Sequence, residues 1–333
     1  MKRIFVTLLV IYPLALLALS LANVLDPKRA GLFALSEIFA PYLFLPLLLL
    51  APFALMRGTG VLRTLLLVCL LVFCVRFPPR LVSAAPADNP AAIHLTAMQW
   101  NVRVGGQYDQ IMNVLSQQPA SIVSIVEADW NRLSKDNEVA GLYPYRWGVQ
   151  DAGPESGEVL LSTYPIIEKG VLTAPPNLWD VPRVIWARLQ VGLGQSVFVV
   201  VAHPPPGTFC THRTFPQKCY NTATRDQRLA AINAFVQPHV NKGDAVLMLG
   251  DFNVTEREPA YNDLSAGLVD AHRVVGAGTG VTWRPASLMS HDLALLRIDY
   301  IFTSPNVTPL ATSVDCTPRG SDHCILHGEF ELN

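Results

Sequence analysis

The sequence predicts an α/β domain preceded by three membrane helices. Three observations carry this expectation. Apolar runs with almost no charge fill residues 1–77. After a Pro/Ala-rich stretch, short apolar runs of strand length alternate with helical stretches, as in α/β folds. Those runs repeatedly end in polar residues, as they do when site residues lie on one rim of a packed sheet.

The N-terminal runs are Ile4 to Leu25, Ile38 to Met56, and Leu65 to Val75, the last extendable back to Val61 through Arg63. The first two reach or approach the roughly 20 residues that span a bilayer. In the third, Arg63 and Arg76 stand near the ends, where they can snorkel. Three transmembrane helices over 1–77 are therefore expected. Met1-Lys2-Arg3 before an apolar run also fits a signal peptide, but two further runs argue against cleavage. The expected linker, 78–91, contains Pro78-Pro79-Arg80 and Ser83-Ala84-Ala85-Pro86. Such composition is extended and semi-rigid. About 250 residues remain after it, enough for one large core; the expected catalytic domain is 92–333.

Within that domain, Ile93 to Met98 reads as a strand closing on Gln99-Trp100-Asn101. A helical stretch follows, with Ile111 and Leu115 at i, i+4. Ile122 to Val126 then ends in Glu127-Ala128-Asp129, and Ser196 to Ala202 ends in His203. A helix is expected over 224–235, with Arg225 and Arg228 on its exposed face. Ala245-Val246-Leu247-Met248 runs into Leu249-Gly250-Asp251-Phe252-Asn253. Spacing i, i+2 lets Asp251 and Asn253 leave a strand on the same side. Taken alone, that block also fits a strand-end turn capped by an Asx side chain. Arg297 to Phe302 reads as a strand containing Asp299, and the last strand follows Gly320-Ser321-Asp322-His323. His272, His291 and His327 read as structural or surface residues.

The ordered blocks Trp-Asn, Val-Glu-Ala, Ala-His-Pro, Gly-Asp-Phe-Asn, Ile-Asp-Tyr-Ile and Ser-Asp-His resemble the endonuclease/exonuclease/phosphatase superfamily of metal-dependent phosphoesterases. The resemblance runs from about Ala92 to the C-terminus. Tyr143-Pro144-Tyr145, Leu161 to Ile166 and Thr282-Trp283 agree with it. It implies a four-layer α/β sandwich, two packed mixed sheets flanked by helices. It also implies roles: Asp251 orients the attacking water and Asn253 binds a phosphoryl oxygen. His203 and His323 stabilise charge in the transition state, and Asp299 fixes the tautomer of His323. Phosphate ester hydrolysis needs a hard divalent cation on carboxylate or carbonyl oxygens. Glu127 is the leading metal ligand, with Asn101 and Asp322 completing or supporting the shell. Mg²⁺ is expected, with Mn²⁺ or Ca²⁺ as alternatives.

No Cys-x-x-Cys pair or His-Glu-x-x-His points to zinc. No Gly-rich loop opens a helix for nucleotide phosphates. The net charge of −1 and the lack of a Lys/Arg run argue against nucleic acid as partner. Three spans, a linker and this domain resemble membrane phosphatases linked to glycopeptide resistance. That resemblance implies a polyprenyl pyrophosphate substrate in the bilayer. The alternatives are a phospholipid or sphingomyelin phosphodiesterase, a membrane-held nuclease and a non-catalytic receptor on the same scaffold.

Orientation rests on cysteines. Lys2, Arg3, Arg57 and Arg63 balance Lys28, Arg29, Arg76 and Arg80 across the expected spans, so the positive-inside rule is silent. Cys210 with Cys219, and Cys316 with Cys324, form two sequence-local pairs beside site blocks, which favours disulfides and an oxidising compartment. The catalytic domain is thus expected on the outer face of a bacterial-type plasma membrane.

Overall fold

A computed structural model of the 333-residue chain describes residues 2–27, 30–78, 89, 91–104, 108–150, 157–172, 184–209 and 220–332. Most of the expected linker, and both Cys210 and Cys219, lie outside the described residues. The chain divides into two compact units. One holds 1–80, 207–223 and 257–259; the other holds 81–206, 224–256 and 260–333.

The first unit contains α1 (Lys2–Leu25), α2 (Gly31–Ile38), α3 (Ala40–Leu43), α4 (Leu45–Arg57) and α5 (Gly60–Arg76). The run expected as one helix over 38–56 is broken. Pro41 and Pro46 stand in the first turns of α3 and α4. Proline lacks an N–H and starts a helix more readily than it continues one. Gly31–Ile38 and Ala40–Pro52 consequently meet at 86°. Among the described residues no single helix is long and apolar enough to cross a membrane, although that bent pair together has the length and composition to do so. Leu9, Leu16, Phe44, Leu47, Leu62 and Leu66 fill the interior of this unit. Glu37 accepts from Asn23 Nδ2 at 2.7 Å and pairs with Arg76. Most of the large apolar side chains exposed among the described residues lie on these helices, Leu14, Leu49, Leu67 and Leu71 among them.

The second unit follows the chain through β1 (Ile93–Asn101), α6 (Tyr108–Gln117), β2 (Ile122–Ala128), α7 (Trp130–Leu133), α8 (Asn137–Leu142), β3 (Tyr145–Val149), β4 (Gly157–Ser162), β5 (Ile166–Val171), β6 (Val184–Gly192) and β7 (Gln195–Ala202). The short strands β8 (Thr208–Phe209) and β9 (Tyr220–Asn221) pair within the first unit. Then come α9 (Ala223–Asn241), β10 (Ala245–Asp251), α10 (Pro259–Ser265), β11 (Val269–Asp270), α11 (Ala271–Val275), β12 (Asp299–Thr303), β13 (Val307–Asp315) and β14 (Ile325–Leu332).

Two six-stranded mixed sheets result, ordered β13-β14-β1-β2-β4-β3 and β11-β12-β10-β7-β6-β5. Their facing sides share one apolar layer that includes Leu95, Ile122, Leu160, Ile185, Val199, Leu247, Ile301 and Phe330. Each such side chain contributes about 1.5–3 kcal/mol by leaving water. The outer faces are covered by helices because these helices carry apolar stripes. Ile111, Val114 and Leu115 of α6 pack on the first sheet; Leu229, Ile232 and Val236 of α9 pack on the second.

Each sheet has a parallel pair at its centre, β1 with β2 and β7 with β10. The carboxyl ends of parallel strands are where α/β folds place ligands. Here those four ends carry Asn101, Glu127, His203 and Asp251. Gly250 is needed for this arrangement: a Cβ there would lie 1.9 Å from the Ala202 carbonyl oxygen of β7.

Candidate active site

The site is stitched across the seam between the two sheets. Asn101 of the first sheet donates through Nδ2 to Asp251 Oδ2 of the second at 3.0 Å, and to Glu127 Oε1 at 3.0 Å. His323, just before β14 in the first sheet, meets Asp299 of β12 in the second: Nδ1 to Oδ2 is 2.8 Å. His203, just after β7, faces Glu158 of β4, with Nδ1 4.0 Å from Oε1. Both imidazoles turn Nε2 toward Asp251 Oδ2, at 3.5 Å from His323 and 3.7 Å from His203. His203 Nε2 is also 3.5 Å from Glu127 Oε1.

Asp299 is held on several sides. Thr282 Oγ1 donates to its Oδ2 at 2.6 Å and Gln99 Nε2 to its Oδ1 at 3.4 Å. The segment bearing His323 is fixed too. Its backbone N–H donates to Ser321 Oγ, and that hydroxyl donates to the Asn101 carbonyl at 2.7 Å. Cys316 and Cys324 are bonded, closing a loop that carries Ser321, Asp322 and His323. Arg284, fully buried, donates to the carbonyls of Cys316 and His291.

Charge and burial set the proton positions. Burial disfavours the His323 cation, but the carboxylates of Asp299 and Asp251 outweigh it and push the imidazole up to about 10. Burial, with the Asp299 charge, pushes the Asp251 carboxyl up to about 7 against the pull of His323. For Glu127, burial is overcome by the neighbouring His203 and by hydrogen bonds from Asn101 and Val104, so its carboxyl lies below the usual range. The Glu127 side chain is 23% exposed, against 2% for Asp251 and 0% for Asp299 and Glu158. The site therefore opens to solvent beside Glu127.

The non-glycine residues with positive φ among the described residues all border this site: Arg103 at 63°, Glu127 at 59° and Asn253 at 52°. Such geometry costs about 1–3 kcal/mol per residue, and it persists where surrounding contacts impose it.

Nearly all the residues singled out in the sequence converge here, and some hold positions other than expected. Asp251 and Asn253 do not simply share a strand face. The Asn253 backbone N–H donates to Asp251 Oδ1 at 2.9 Å, so the block is an Asx turn and a site at once. The Asn253 amide donates to the Pro204 carbonyl at 3.0 Å, tying the turn to the loop that bears His203. Asp322 lies on the His323 side, where its charge helps keep the imidazole protonated. Arg225 is not on an exposed face. It is buried, donating to Asp226 Oδ1 and to the Asn253 carbonyl at 2.7 Å. His272 is buried against Thr312, His327 bonds Gln118 and His291 is exposed, as the structural and surface readings expected. Glu158 escaped notice, since one carboxylate inside Gly-Glu-Val-Leu-Leu-Ser resembles any strand polar residue. Arg103 escaped because a loop cation carries no local signature.

The oxygen donors suit a hard cation. Glu127 offers a carboxylate at the solvent-facing side, and the buried Asn101 beside it brings an amide whose Nδ2 donates to Glu127 and whose Oδ1 accepts from the Arg103 N–H. Another group of potential ligands, Asp251, Asp299 and His323, has donor atoms within 4.8 Å of one another. Within that group the His323 Nδ1 is already engaged by Asp299 Oδ2 at 2.8 Å, while its Nε2 stands 3.5 Å from Asp251 Oδ2.

The model of the endonuclease/exonuclease/phosphatase family matches residues 98–323, and the chain belongs to that family. Its members hydrolyse phosphoester bonds and depend on divalent metal. Among solved structures, the chain is similar to a 3′ phosphatase, NExo from Neisseria, bound to a product DNA hairpin: identity 20%, TM-score 0.55, covering 71% of this chain and 99% of that one. It is similar to TDP2 from C. elegans at 18% identity and TM-score 0.54, covering 72% and 75%. A functionally unknown conserved protein from Enterococcus faecalis gives 17%, 0.54, 72% and 100%. No curated protein matches the chain.

Proposed function

We propose that this chain is a membrane-anchored, metal-dependent phosphoesterase acting on a lipid-linked phosphate or pyrophosphate, with polyprenyl pyrophosphate favoured. The observation that carries the hydrolytic part is the meeting of Asn101, Glu127, His203, Asp251 and His323 across the seam. The observation supporting the lipid part is the outward apolar surface of α1–α5, of a kind that soluble monomers rarely expose.

Glu127 and Asn101 would hold the divalent cation, Mg²⁺ by the hardness of the donors, and when bound it supplies charge neutralisation at a phosphoryl oxygen. Asp251, with its carboxyl raised toward neutrality, accepts the proton of the attacking water. His323, held as imidazolium by Asp299, donates a hydrogen bond to the phosphoryl group where charge develops. His203 faces the same point from the other sheet. The Cys316–Cys324 bond supports an oxidising, extracytoplasmic location for this domain.

The test is phosphate release from polyprenyl pyrophosphate by the full chain in detergent, with Mg²⁺ or EDTA, beside Asp251→Asn. Metal-dependent release that the variant loses is the expected result. A folded, metal-supplied protein that releases none would sink the lipid pyrophosphate reading; headgroup release from a phospholipid would then favour a phosphodiesterase.

A further inference from the structure

Arg103 shares the backbone signature of the site without having a part in the chemistry above. Its φ of 63° places it with Glu127 and Asn253, both site residues. Its N–H donates to Asn101 Oδ1 at 2.8 Å, and the next N–H, that of Val104, donates to Glu127 Oε2 at 2.8 Å. The two groups expected to hold the metal therefore also hold residues 103–104 as a lip on the solvent-facing side of Glu127.

The Arg103 side chain is exposed, and its guanidinium donates through NH1 to the Met289 thioether at 3.2 Å. A thioether is a weak acceptor, whereas a guanidinium carries five donors in a planar fork suited to phosphate. Met289 belongs to the segment between Trp283, which bridges His323, and Leu296. That segment is tied to His323 through the Trp283 bridge. Arg132, another cation beside Glu127, is engaged differently, stacked 3.5 Å above the Tyr108 ring. The titratable groups inside the site are mostly acids, Glu127, Glu158, Asp251, Asp299 and Asp322 against His203 and His323, with Arg103 and Arg132 as the cations beside Glu127. Such a field repels a doubly charged phosphate unless cations offset it.

We propose that Arg103 is the specificity-determining residue that favours a terminal phosphate bearing two negative charges, as in a monoester or pyrophosphate, over the singly charged phosphate of a diester. The assignment deepens the phosphoesterase reading and rests on it. Hydrogen bonds to a charged partner correspond to roughly tenfold to hundredfold in affinity.

The experiment compares Arg103→Gln, Arg103→Lys and Arg132→Gln in the full chain in detergent with Mg²⁺. Gln keeps the Cβ, so the strain at φ 63° is unchanged and folding should be retained, which circular dichroism checks. Calorimetry measures binding of inorganic phosphate and of dimethyl phosphate; kinetics use p-nitrophenyl phosphate and bis(p-nitrophenyl) phosphate. In Arg103→Gln, the Kd for inorganic phosphate and the KM for the monoester should rise roughly tenfold to hundredfold. The kcat and the dimethyl phosphate affinity should stay within about threefold, and Arg103→Lys should recover part of the loss. Equal loss for both ligands, no loss, an equal effect of Arg132→Gln, or absence of phosphate binding to the unaltered chain would each overturn the proposal. If the binding split holds while neither ester turns over, the hydrolytic reading fails and the assignment of Arg103 stands.

Discussion

The two imidazole–carboxylate pairs at the seam differ in how tightly they are built. Asp299 and His323 touch at 2.8 Å, and Thr282 and Gln99 fix the carboxylate from behind. Glu158 and His203 stand 4.0 Å apart, while His203 lies 3.5 Å from Glu127 and 3.7 Å from Asp251. Both pairs bridge the sheets, in opposite directions. A short, buried hydrogen bond fixes the orientation of the His323 ring, while the distances from His203 to its three carboxylates are all longer. We infer from the difference a fixed hydrogen-bond donor in the His323 half and a substrate-responsive contact in the His203 half.

The harshest way to break the comparison is to remove the carboxylate both halves share. Asp251→Asn should lower kcat about a thousandfold with secondary structure unchanged, since a positioned base is worth that order. Comparable turnover would remove Asp251 from the chemistry. Asp299→Asn should cost about a hundredfold in kcat. It should also move the alkaline limit of activity from about 10 toward the ordinary imidazole range near 6.5. Glu158→Gln should cost about tenfold or less, with that alkaline limit unmoved, below the roughly hundredfold at which a direct acid–base contribution begins. Equal losses from Asp299→Asn and Glu158→Gln would erase the distinction between the halves. Smallest of all, Thr282→Val should lower stability by about 1–2 kcal/mol, measured by denaturant midpoint, because it leaves a buried carboxylate short of one donor.

The pH dependence sharpens the same contrast. Activity should rise through about 7, where Asp251 ionises, and fall through about 10, where His323 loses its proton. In EDTA, stability should fall as pH rises. Both folded-state values lie above the unfolded ones, so both contributions are full at low pH and fade as pH rises, Asp251's through about 7 and His323's through about 10. Denaturant midpoints at pH 6, 8 and 10.5 should therefore decline, and Asp299→Asn should flatten the upper step.

The strand ends were legible because Asn101, Glu127, His203 and Asp251 each close a mostly apolar strand, a local pattern that one sequence contains. Glu158 was not, because its meaning lies in a partner from another sheet. Arg225 looked like a helix-surface cation, and only the turn at Asn253 gives it a buried carbonyl to bind. The break after Ile38 was foreshadowed by Pro41 and Pro46, yet hydrophobicity alone outweighs two prolines when spans are read from composition. Which strands neighbour one another, and hence the crossing of the two histidine pairs, depends on long-range pairing that no local period encodes.

The covalent closure of the loop from Cys316 to Cys324 bears on how the protein should be produced. A chain synthesised where thiols stay reduced would keep its sheets, yet lack one tether on the segment that presents His323. Batches from different cellular compartments would then vary in the fraction of competent molecules rather than in yield. Titrating competent sites, and not total protein, is the sound denominator for any rate assigned to this chain.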